Sequence, residues 1–171
     1  MSGLYYYRLK GINKGYTGTD AEWYGICQTL KATGNTVAHC VSWPKNEILK
    51  HFNGIYFNQK AAKDTDGANN VASGWWAPGG ETIKGTMAHE LGHAIDKSLS
   101  VGGLRLCEQQ EMRKIYSSMN YDERCAALSR YGASSSREFI AEAWCEYTCS
   151  TNPRPLAKQI GDLIKSKVQK A

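Results

Sequence analysis

His89-Glu90-Leu91-Gly92-His93 sets two imidazoles and a carboxylate at the spacing H-E-x-x-H. The surrounding run from Glu81 to Ser100 has helical spacing. On a helix, positions i and i+4 project from one face, so His89 and His93 can converge on one metal ion. Glu90 stands beside them as a base for a water molecule. This donor set suits one Zn2+ ion, whose catalytic sites use three protein ligands and keep a fourth position for water. The two histidines leave a third ligand to be supplied from elsewhere in the chain.

Several sources for that ligand can be weighed. The extended pattern H-E-x-x-H-x-x-G-x-x-H needs glycine at 96 and histidine at 99. The chain has Asp96 and Leu99 there, so this source is excluded. Asp20, in GTDAEWYG, precedes the metal helix and is one place off the spacing of an aspartate ligand. The segment RYGASSSREFIAEAWCEY offers glutamates instead. Glu138 and Glu142 stand at i and i+4, so both can face the metal helix. Phe139, Ile140, Ala143 and Trp144 mark this helix as partly buried, and a buried carboxylate is costly unless paired or metal-bound. At least one of these glutamates is therefore expected to be a ligand. Ser135-x-x-Glu138 also fits a capping box, which would turn Glu138 back to the helix start and leave Glu142 as the ligand.

HELGHAID followed by YG-x5-EFIAEA resembles the gluzincin metallopeptidases typified by the anthrax lethal factor catalytic domain and the Pro-Pro endopeptidases. The resemblance covers residues 86 to 146 in outline. It implies that Glu138 is the third zinc ligand, that Glu142 accepts a hydrogen bond from a ligand histidine, and that Tyr131 leans over the site. The implied activity is that of a zinc metalloendopeptidase acting on a peptide or protein. Zinc lowers the pKa of its water, Glu90 takes the proton as that water attacks the peptide carbonyl, and zinc with Tyr131 stabilises the oxyanion. Asp96 is expected to orient a ligand histidine or neighbouring backbone. Trp75 and Trp76, adjacent in the glycine-rich run 63–80, are candidates for a wall of the substrate cleft or, equally, for caps on the core. The competing expectation is a catalytically idle or structural zinc-binding component of zincin type, phage-associated and with an assembly partner in a virion.

Bulk properties narrow the surroundings of this chemistry. A chain of 171 residues with 42% hydrophobic and 22% charged residues fits a single globular domain spanning 1–171. Net charge is +5, with lysines 165, 167 and 170 near the end. Basic and aromatic residues form no nucleic-acid motif, and no apolar run has the length of a membrane span. The opening MSGLYYYRLKGINK lacks a signal peptide's apolar stretch. The expected location is the cytosol of the producer, or outside it without a recognisable signal peptide. The six cysteines include no C-x-x-C pair, and reduced thiols are expected.

The elements that must position the site are a tyrosine-rich strand at 4–10, a helix at 20–32, short strands at 36–42 and 55–58, and a helical turn at 47–52. A loop over 63–80 then leads into the metal helix. Helices are expected at 104–118, 121–129 and 135–150, and a last one from Asn152-Pro153 to Val168. Strands followed by helices predict an α+β zincin-like fold: a small N-terminal mixed sheet with helices, the metal-binding helix, and a helical C-terminal half.

Overall fold

The computed structural model describes residues 4–7, 16–18, 38–41, 54–57 and 64–170. The chain divides into two compact units, Met1–Lys63 and Asp64–Ala171.

In the first unit the described residues are four short strands: β1 (Leu4–Tyr7), β2 (Tyr16–Gly18), β3 (Ala38–Val41) and β4 (Gly54–Phe57). They pair in the order β2-β1-β4-β3, and every pairing is antiparallel. Tyr6 stands opposite both Tyr16 and Tyr56, and Cys40 opposite Ile55, which is buried. The helices expected at 20–32 and 47–52 lie outside the described residues.

The expected α+β fold with a mixed N-terminal sheet is corrected here. The described residues are predominantly helical, and strand is a small fraction of them. No pair of these strands is parallel, so nothing makes the sheet mixed. Alternating strand-like and helix-like runs do not fix strand direction, and antiparallel partners need no crossover helix between them.

The second unit holds α1 (Asp64–Ala72), α2 (Ile83–Ser98), a 3-10 turn (Leu106–Glu108), α3 (Gln110–Ser117), α4 (Tyr121–Ala127), α5 (Arg130–Ala133), α6 (Ser136–Cys149) and α7 (Pro155–Val168). No helix among the described residues is long and apolar enough to cross a membrane.

Local signals account for most of these boundaries. Thr82 caps α2 by accepting from Gly85 N–H at 3.3 Å. Asn120 and Glu123 exchange reciprocal bonds of 3.0 and 2.7 Å in a capping box at the start of α4. Helix α7 begins at Pro155, whose fixed φ suits the first turn, rather than at Pro153. Helix α1 occupies part of the expected 63–80 loop. Its glycine and asparagines are poor helix formers, but a Cβ at Gly67 would stand 2.4 Å from the Glu81 carbonyl oxygen. Close packing selects glycine there and masks the helix in the sequence.

Helices α2 and α6 pack most extensively against each other. A Cβ on Gly92 would lie 2.7 Å from Ala141 Cα, so the two backbones nearly touch. Around them Phe139, Ile140, Leu106, Met112, Ile160 and Ile164 form a core with almost no exposure. The buried Glu146 carboxylate on α6 is held by Arg154, whose backbone N–H and Nε lie 2.7 and 2.9 Å from Oε1 and whose Nη2 lies 2.6 Å from Oε2. This pair, with its carboxylate buried and its guanidinium half-buried, joins the start of α7 to α6.

Candidate metal centre

Helix α2 presents His89 and His93 one turn apart, with ring centroids 4.9 Å from each other and planes at 84°. Helix α6 presents Glu138 to both. Its Oε2 lies 3.1 Å from His89 Nε2 and 3.4 Å from His93 Nε2. One donor atom from each of the three residues falls within 4.8 Å of the others. Glu138 Oε2 is buried and lacks a hydrogen bond of proper geometry, although both imidazoles are at contact distance. Atoms that are close yet not aimed at one another are what donors directed at a shared central point produce. Two imidazole nitrogens and a carboxylate oxygen form a donor set that fits zinc.

The Ser135 hydroxyl accepts from Glu138 N–H at 3.2 Å, so Ser135 caps α6. The Glu138 side chain does not return the bond, because it reaches the histidines. The capping-box use of Glu138 is thus not the one adopted.

Glu142, one turn further along α6, organises the surroundings. Its Oε1 lies 2.8 Å from His89 Nδ1. A carboxylate only accepts, so Nδ1 carries the proton and Nε2 is left as a donor atom for a metal. Its Oε2 accepts from Ala77 N–H at 2.6 Å and from the Ser129 hydroxyl at 2.8 Å. Ser129 in turn accepts from Gly132 N–H at 2.9 Å and caps α5. Every arm of this carboxylate is buried and occupied.

These carboxylates make the centre a place for positive charge. Burial disfavours a charged His89, yet Glu138 and Glu142, with Glu90 adding, raise its pKa to about 10. Burial pushes the Glu138 carboxyl upward, but His89 and His93 outweigh it and hold the group well below the usual carboxylate range. Burial, with the Glu138 and Glu90 carboxylates, pushes the Tyr131 phenol above its ordinary value, so it remains a hydroxyl donor.

Glu90 is buried next to His89, and its charge is felt by both His89 and Tyr131. Tyr131 stacks on His89 with centroids 5.6 Å apart and planes 16° apart. Trp75 stacks on Tyr131 at 5.8 Å and 25°. Trp76 is half-buried, its N–H bonded to Asn70 O at 3.1 Å, and it contributes no ring to that row. Asp96 is fully buried but serves backbone rather than a histidine. It accepts from Cys107 N–H at 2.8 Å and from Arg105 Nη1 at 3.3 Å. It thus holds the Cys107 backbone and pairs with Arg105, and it orients no ligand histidine.

His89, Glu90, His93, Tyr131, Glu138 and Glu142 therefore come together, with Trp75 at their margin. Two partners were not anticipated, Ser129 and the Ala77 amide. A serine just before Arg130-Tyr131-Gly132 is legible as a helix cap, but its bond to Glu142 depends on tertiary packing.

No protein-family model matches the chain, and no curated protein or solved structure is detectably similar to it.

Proposed function

We propose that this protein is a zinc-dependent endopeptidase of gluzincin type, with His89, His93 and Glu138 holding the ion. The convergence of His89 Nε2, His93 Nε2 and Glu138 Oε2 within 4.8 Å carries this proposal. When bound, zinc acidifies a water and polarises the carbonyl to be attacked. Glu90 accepts the water's proton and passes it to the leaving amine. Tyr131, kept protonated by its buried and acidic surroundings, donates to the oxyanion. Glu142 keeps the His89 ring in the productive tautomer.

The test joins metal analysis to a peptide-library cleavage assay. The wild type is expected to bind one zinc per chain and to cleave. Glu90→Ala is expected to keep the zinc and lose cleavage by about 10²–10⁴-fold. Zinc bound by a wild type that cleaves no peptide would instead assign the protein a structural zinc-binding role.

A further inference from the structure

We infer that Trp75 forms a specificity subsite of this centre, selecting a large apolar side chain, aromatic above all, within three residues of the bond to be cut. The inference rests on the peptidase function proposed above and names the substrate class that it favours.

Three observations carry it. First, Trp75 is 41% exposed, although its backbone is tightly fixed. Helix α1 ends with Gly74 at φ 71°, and the amides of Gly74 and Trp75 return to Val71 O and Asn70 O, each at 2.9 Å. This is a Schellman closure, with Trp75 as the residue just beyond the left-handed glycine. Secondly, the same loop is bonded to the catalytic tyrosine's helix. Arg130 N–H and Tyr131 N–H donate to Gly74 O and Trp75 O at 3.0 and 2.9 Å, and Arg130 Nη2 donates to Ser73 O at 2.9 Å. Two residues on, Ala77 N–H is bonded to Glu142, which also orients the ligand His89. Thirdly, the indole continues the ring row from His89 through Tyr131, in two steps of 5.6 and 5.8 Å. Those steps place the indole no farther from His89 than about three residues of extended peptide.

A hydrophobic ring left in water loses the gain of burial, and the stack on Tyr131 holds this indole at the margin of the site. Scattered exposed apolar residues are ordinary on protein surfaces. Trp75 differs because it is locked by the groups that set the metal ligand and the oxyanion donor. A fixed indole binds a partner ring with little ordering cost. The Arg130 guanidinium, 5.6 Å from the indole centroid, adds a cation–π contact to the wall.

The test uses the zinc-loaded full chain and two series of alanine-peptide hydroxamates, one extending to each side of the metal-binding group. Phenylalanine replaces each alanine in turn, and affinities are measured by calorimetry. In the wild type, at least one phenylalanine position is expected to bind about tenfold tighter than its all-alanine parent. Trp75→Ala is expected to erase that preference, read as the ratio of each phenylalanine peptide to its own all-alanine parent on the same variant, with Trp75→Phe retaining most of it and Trp76→Ala all of it. Equal affinity across both series in the wild type, or a preference that survives Trp75→Ala, would overturn the inference. If the all-alanine parents do not bind the zinc-loaded wild type at all, the ion offers no open position to a substrate, the peptidase reading is refuted, and the subsite falls with it. A parent that binds Trp75→Ala normally shows that the variant's site is folded.

Discussion

Glu142 ties the centre together through two oxygens that reach three elements: His89 on α2, Ala77 in the loop before it, and Ser129 at the cap of α5. Removing it leaves buried donors without partners, at about 1–3 kcal/mol each. Glu142→Ala is therefore expected to lower thermal stability and to weaken zinc binding by about 10–100-fold. Glu138→Ala, which removes a donor to the ion itself, is expected to weaken it more. Competition with a chelating dye measures both, and the opposite order would show that Glu142 is the ligand. A second residue-scale prediction concerns thiols. The Cys145 thiol, at 3.2 Å from Gly85 O, can instead turn its single proton to Cys149. That hydrogen bond, against the cost of burial, lowers the Cys149 pKa to about 6, whereas burial and Asp96 push Cys107 up to about 11. Of Cys107, Cys145 and Cys149, iodoacetamide at pH 7 is expected to label Cys149 first, with a rate that falls as pH drops through about 6; labelling of Cys107 ahead of it would contradict this. At this scale much of the centre was legible. The spacings of His89, Glu90 and His93 and of Glu138 and Glu142 are local helical geometry. The choice of Glu138 over its capping use, and the roles of Ser129 and the Ala77 amide, depend on which helix lies opposite.

Elements α2 and α6 act as one structural piece because Gly92 lets their backbones meet over Ala141. Gly92→Ala improves intrinsic helix propensity by about 1 kcal/mol. It also drives a methyl to 2.7 Å from Ala141 Cα. Steric cost is expected to win, with a net loss of about 1–3 kcal/mol in urea unfolding and weaker zinc binding as Glu138 moves off the histidines. A neutral or stabilising effect would mean that the helices slide apart freely. The glycine inside H-E-x-x-H was visible, whereas its packing partner was not. The same limit applies elsewhere. Caps and periodicity located α2, α6 and the end of α7. Helix α1 was hidden because Gly67 is selected by the approach of Glu81 rather than by helix propensity. The mixed sheet failed as an expectation because alternating segment types do not specify strand direction, and the strands pair antiparallel.

At the scale of the whole molecule, every residue assigned to the centre lies within Asp64–Ala171, which has its own core. An ion that binds only the folded state raises apparent stability by about 2.7 kcal/mol at a hundredfold excess over its dissociation constant. Zinc is therefore expected to raise the thermal midpoint, a chelator to reverse the rise, and His93→Ala to abolish it. A midpoint indifferent to zinc would show that the three donors do not bind it. The position of those donors along the chain has a temporal consequence. Glu138 follows His93 by 45 residues, so the full ligand set exists only after α6 has docked on α2. Until then His89 and His93 stand without the third donor of the proposed set. The proposed zinc is therefore expected to bind after the two helices have docked. On that expectation the ion slows unfolding and leaves the folding rate nearly unchanged, which stopped-flow rates with and without zinc measure. The proposed metal is expected to act as a latch closed on a finished structure, with its hold measured in lifetime.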